Sequence, residues 1–80
     1  MTDKEIMANI LEVGYKASKM SESVNIEKIS KDLGEEEKRV EDLANFMEKK
    51  GWMVWWTQNP LQMQITKEGI EEYEIRHEGE

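Results

Sequence analysis

The sequence predicts a single small α+β domain, in which three helices are followed by a β-hairpin and a last helix. Three observations carry that prediction. Apolar residues recur at steps of three and four from Ile6 to Met47, the period of amphipathic helices. From Gly51 to Thr66 there is no charged residue, and the apolar pattern switches to period two. The chain has 80 residues, enough for one core that buries about 60–65% of the surface an unfolded chain exposes.

Each element has its own local reason. Thr2-Asp3-Lys4-Glu5 fits a capping box, the Thr hydroxyl accepting from the third helical N–H while Glu5 reaches back to the cap. Ile6, Met7, Ile10, Leu11, Gly14, Ala17 and Met20 then mark one helical face. Gly14 weakens a helix, so close packing against another element is expected there. Ser21-Glu22-Ser23 reads as a connector and Val24 as a minimal strand. Asn25 is a good N-cap for a short second helix that points Ile26, Ile29 and Leu33 inward, and Gly34 is its left-handed stop. A third helix runs from about Glu36 to Lys50 on Val40, Leu43, Ala44, Phe46 and Met47. Val40, Leu43 and Met47 are expected to bury against Ile10, Ile29 and Leu33. Gly51 ends that helix, with Lys49 and Lys50 in the last turn, where cations suit the dipole.

Trp52-Met53-Val54-Trp55-Trp56 is aromatic and β-branched, hence strand-like. Thr57-Gln58-Asn59-Pro60 supplies a turn. In the return strand Leu61, Met63 and Ile65 alternate with Gln62 and Gln64. Thr66 caps the final helix, whose apolar side is Ile70, Tyr73 and Ile75, and the tail His77-Glu78-Gly79-Glu80 is expected to fray. Residues 1–80 form one domain, with no repeat, linker or low-complexity segment.

Composition excludes several functions. Eleven basic residues stand against 18 acidic ones, a net charge of -7, which opposes non-specific attraction to polyanions. There is no cysteine, so disulfides and thiolate metal sites are excluded. No apolar run approaches a membrane span, and the N-terminal residues lack the basic start and apolar core of a signal peptide. A cytoplasmic protein is expected. The one histidine, His77, lies in the acidic tail without an orienting partner or nucleophile in the pattern, and reads as a surface residue. Glu35-Glu36-Glu37 suits a helix N-terminus better than a metal cluster, and Glu68, Glu71 and Glu72 read as a solvated helix face. No catalytic set, metal site or cofactor is expected.

Ile26-Glu27-Lys28-Ile29-Ser30-Lys31-Asp32-Leu33-Gly34 resembles the first half of a helix-turn-helix. Val40, Ala44, Met47 and Gly51 follow at a spacing similar to the second helix of bacterial and archaeal winged-helix regulators. The phrase Ile65-Thr66-Lys67-Glu68-Gly69-Ile70 resembles that family's step from the wing into its last helix. The resemblance covers roughly residues 4 to 75. It implies a winged helix: a three-helix helix-turn-helix core, a hairpin wing and a C-terminal helix. It also implies transcriptional regulation by binding duplex DNA, with the third helix in the major groove. The residues placed to do this are Lys38 and Arg39, toward phosphates or guanine edges, and Asn45, toward adenine. Asn25 and Lys28, at the start of the preceding helix, complete the candidate DNA-binding set. Such a regulator is expected to be a homodimer, with the first or the last helix as its seam.

The local chemistry supports a second reading. The segment from Gly34 to Lys50 carries four basic and six acidic residues, a net of -2, and the hairpin has no Lys or Arg. These features favour a protein-interaction module. Alternation places Met53 and Trp55 toward the core and turns Trp52, Val54 and Trp56 the other way. An exposed aromatic patch rimmed by polar groups marks an interface, so Trp52 and Trp56 are the candidate protein-contact residues. Core packing remains the competing reading for Trp56, and stacking on a nucleic-acid base a third.

Overall fold

A computed structural model describes residues 1–78, with side chains through Arg76. The elements are α1 (Asp3–Lys19), β1 (Val24–Asn25), α2 (Ile26–Leu33), α3 (Glu37–Lys49), β2 (Met53–Gln58), β3 (Leu61–Ile65) and α4 (Lys67–Glu78). The fold is α+β, four helices and one three-stranded antiparallel sheet of order β1-β3-β2. No described helix is long and apolar enough to cross a membrane. The backbone of His77 and Glu78 continues α4 and is not part of a frayed tail as expected, because the helical hydrogen bonding begun at Thr66 runs on to Glu78. Gly79, Glu80 and the side chains of His77 and Glu78 lie outside the described residues, and with them the rest of the expected fraying and the surface placement of His77.

The caps follow the residues that predict them. The Thr2 hydroxyl accepts from the Glu5 N–H and the Glu5 carboxylate accepts from the Thr2 N–H, a complete capping box on α1. Asn25 accepts from the Lys28 N–H at the start of α2, and Gly34 closes that helix at φ 67°. Glu36 starts α3 with no side-chain cap, so its helix begins on acidic residues and the dipole alone.

The core gathers one stripe from each helix and the inner face of the sheet. Ile6, Ile10, Leu11 and Ala17 of α1 meet Ile26 and Ile29 of α2 and Val40, Ala44 and Met47 of α3. Val24, Met53 and Met63 close it from the strands. Leu33 and Leu43 are half-buried at its margin. Gly14 faces the sheet: a Cβ there would sit 3.1 Å from Met53 Cε and 3.3 Å from Ile65 Cβ. The close approach expected of this glycine is therefore made against the hairpin.

Four apolar side chains are placed otherwise than expected. Met20 is the C-cap of α1, past the last turn that reaches the core, and is exposed. Phe46 is exposed because Val40, Ala44 and Met47 already define the inward stripe and Phe46 falls beside it; the Lys50 ammonium covers its ring at 5.4 Å. Ile75 lies two residues, about 200° around the helix, from Tyr73, whose ring stacks on Tyr15 at 4.3 Å, and points to solvent. Trp52 is not turned outward; it packs against the core with the Arg76 guanidinium over its ring at 5.5 Å. Strand alternation does not govern Trp52, because it precedes β2 and its N–H closes the end of α3 on the Met47 carbonyl.

The hairpin base is tied to that same turn. The Trp52 carbonyl accepts from the Thr66 N–H at 2.9 Å, the Thr66 hydroxyl donates to the Gly51 carbonyl, and the same hydroxyl accepts from the Gly69 N–H. Thr66 thus caps α4 and fastens it to the α3–β2 junction. Gly69 is where α4 crosses Trp52, and a side chain there would collide with the Trp52 carbonyl oxygen. β2 extends through Thr57 and Gln58 of the predicted turn, leaving only Asn59 and Pro60, joined by a cis peptide bond, between it and β3.

Candidate interaction surfaces

Two surfaces carry the residues singled out in the sequence: the outer side of α3 and the outer face of the hairpin. On α3 the side chains of Lys38, Arg39, Asp42 and Asn45 are engaged within the chain. The Arg39 guanidinium donates from Nη2 to Asp3 at 2.9 Å and to the Met1 carbonyl at 2.8 Å, and from Nη1 to Glu35 at 2.9 Å. The N-terminal ammonium donates to the other oxygen of Glu35 at 3.0 Å. This clasp holds the start of α1 against the start of α3. The Asp3 hydrogen bond and the nearby Glu35 charge raise the pKa of Arg39. Glu35 is held below the ordinary carboxylate range by the N-terminal ammonium and then by Arg39.

Asn45 is also committed: its Oδ1 accepts from the Trp55 indole N–H at 2.9 Å. That bond joins α3 to the inner side of β2. Lys38 is exposed and pairs with Asp42 one turn on, at 3.0 Å, which raises its pKa through the hydrogen bond, the Asp42 charge and Glu41. Asn25 is spent on the α2 cap. Lys28 is exposed beside a cavity of about 370 Å³ between α1 and α2, floored by Val13, Ala17, Ile29 and Leu33. Of the predicted DNA-binding residues, Arg39 joins the N-terminal clasp and lines one surface depression with Lys38, Asn45 turns to Trp55, and Asn25 and Lys28 stand at the start of α2.

The i,i+4 pairing of Glu35 with Arg39 is legible in the spacing. The third member, Asp3, is 36 positions away and reaches Arg39 only through the packing of α1 on α3. No signal in the local pattern points to it.

The hairpin presents the opposite chemistry. β2 pairs with β3 in register Met53↔Ile65, Val54↔Gln64 and Trp55↔Met63; the register then shifts by one residue, so that Thr57 faces Gln62. Trp56 is the extra residue of this bulge. Met53 is buried, Trp55 packs on the core, Val54 is 46% exposed and Trp56 65% exposed. The outer face continues onto Gln62 and Gln64, with Ser23 donating to Gln62 Oε1 at 3.2 Å. β2 ends the sheet, with β3 as its only strand neighbour among the described residues.

No group of three or more His, Asp or Glu side chains is placed to hold a metal ion among the described residues. Every buried side-chain nitrogen or oxygen described has a hydrogen-bond partner. Of the large apolar side chains exposed among the described residues, Val54 and Trp56 are the two on the hairpin. Comparison with protein-family models, curated proteins and solved structures finds no match to this chain.

Proposed function

We propose that this chain is a winged-helix domain that acts through protein contact made by its hairpin. The helix-strand-helix-helix-hairpin-helix order and the β1-β3-β2 sheet are compatible with that fold. The observation that carries the functional reading is the outward pair Val54 and Trp56, set in a stretch without a single charge. A wing that follows a phosphate backbone gains from Lys or Arg, because backbone contacts carry much of the affinity. A wing that meets protein gains from an aromatic anchor in an uncharged patch. On α3, Arg39 is paired with Asp3 and Glu35, so its approach to a phosphate would first have to open that clasp.

Duplex-DNA binding is the second reading, and one observation favours it. The Lys38–Asp42 pair is exposed, so it contributes little and exchanges readily for a phosphate. A mobility shift with mixed duplex DNA at low salt, run beside light scattering, separates the two. The protein-contact reading expects no shift, and an association that Trp56→Ala weakens while folding is kept. A salt-sensitive shift that Lys38→Ala weakens overturns it in favour of DNA.

A further inference from the structure

We propose that the cavity between α1 and α2 binds a free α-amino acid with an apolar side chain. The cavity shares no lining residue with the hairpin or with α3, so the inference is independent of what the hairpin touches. Its volume is about 370 Å³, the small end of the range of about 300–1,000 Å³ that ligand pockets occupy, which suits a small metabolite. The floor is aliphatic: Val13 and Ala17 of α1, Ile29 and Leu33 of α2. Met20 also lines the cavity and is 61% exposed. An apolar ligand side chain seated there covers a methionine that the chain itself leaves open to water.

Charge names the rest of the ligand. Lys28 and Asp32 stand one helical turn apart on α2, and both line the cavity. Neither belongs to an ion pair among the described residues. Lys38 and Asp42 on α3 have the same identities and the same spacing, and they are paired at 3.0 Å. The cavity is therefore bordered by one cation and one anion whose charges are unspent. Of the other charges at its rim, Lys16 is already paired with Glu12 at 3.2 Å, and Glu22 stands on the connector between α1 and β1. A ligand of one sign would be attracted by one of Lys28 and Asp32 and repelled by the other; a zwitterion satisfies both. Asn25 spends only its side-chain oxygen, on the Lys28 N–H, and keeps its amide NH2 for a carboxylate. In this arrangement the ligand carboxylate meets the Lys28 ammonium and the Asn25 amide, the ligand ammonium meets Asp32, and the side chain lies on the aliphatic floor. Charge-assisted hydrogen bonds are the strong ones, and the apolar contact adds to them.

Isothermal titration of the full chain with L-leucine and L-phenylalanine, beside isocaproate and isoamylamine, tests this. The last two keep a leucine-like skeleton and each lacks one of the charges. The expected result is saturable binding of an amino acid at millimolar concentration or below, at least about tenfold tighter than binding of either single-charge analogue. Lys28→Ala and Asp32→Ala, both at exposed positions, should each weaken it at least about tenfold. Lys31→Ala, exposed on α2 outside the cavity, should leave it unchanged. Circular dichroism checks that each variant is folded, and amide chemical shifts should move at Val13, Ala17 and Ile29. Three results overturn the proposal: no binding of either amino acid, an analogue of one charge bound as tightly as the amino acid, or binding that keeps full strength in Lys28→Ala or Asp32→Ala. None of them touches the protein-contact reading of the hairpin, which its own variants decide.

Discussion

Helix α3 and the β2–β3 hairpin both send one row of side chains into the core and one row out, yet the two outer rows end differently. On α3 the outer row is charged, and two of its cations find carboxylates: Lys38 takes Asp42, and Arg39 takes Glu35 and Asp3. On the hairpin the outer row is Val54 and Trp56, which stay exposed. The difference lies in reach. A long charged side chain on a helix meets a partner one turn away or on the next element, whereas an aromatic on an outer strand face can be covered only by another surface. A surface rich in ionisable groups can thus be closed by its own chain, while a surface with none is left open.

The sharpest way to break this contrast lies on the inner rows. Met47→Ala removes a fully buried side chain of α3 and is expected to destabilise the domain by about 2–5 kcal/mol; Phe46→Ala, beside it and exposed, should do far less. Urea unfolding of both variants checks the assignment of faces, and equal midpoints would show that it is wrong. Next is the hairpin base. Gly69→Ala drives a methyl group onto the Trp52 carbonyl and toward Ile65 Cγ1, 2.7 Å away, and is expected to cost about 1–3 kcal/mol. A thermal midpoint equal to wild type would mean that α4 does not cross Trp52 closely.

A smaller effect separates two adjacent tryptophans. Trp55→Phe removes the indole donor to Asn45 and should lower stability by about 0.5–1.5 kcal/mol, while Trp56→Phe should leave it unchanged. Chemical denaturation followed by far-ultraviolet circular dichroism reads both, and a reversed order would place Trp56 inside.

The smallest expected effect belongs to the clasp at the start of α3. Glu35 has a folded-state pKa below its unfolded value because of the N-terminal ammonium and Arg39. The unfolded chain therefore binds its proton first as pH falls. The contribution of Glu35 is fully present above the ordinary carboxylate range and is lost as pH drops through and below it. Glu5, lowered by its hydrogen bonds with Thr2, adds in the same direction. Glu35→Gln should flatten the acid limb of a stability–pH curve without changing the neutral-pH response to denaturant slope. An acid limb of undiminished steepness would show that the clasp does not persist in solution.

Much of the fold is local and could be read locally. The Thr2–Glu5 capping box, the Asn25 cap, the Gly34 stop and the period-two hairpin all depend on residues within a few positions of one another. Their physics is that of a single turn or a single strand pair. The same holds for the buried face of α3, because Val40, Ala44 and Met47 follow the helical period.

By itself, then, the sequence determined the element order, the caps, the inner rows of the helices apart from Met20, Phe46 and Ile75, and the absence of charge from the hairpin. Tertiary packing decided which outward residues remain available. Asp3 reaches Arg39 only because α1 lies along α3, and Asn45 turns to Trp55 only because β2 returns beside that helix. Trp52 packs inward because its backbone closes α3 and receives Thr66, not because of any strand alternation. These contacts join residues far apart in the chain, and periodicity carries no information about which distant side chain will meet a given face. A charge or an indole is spent or free according to what the fold sets next to it.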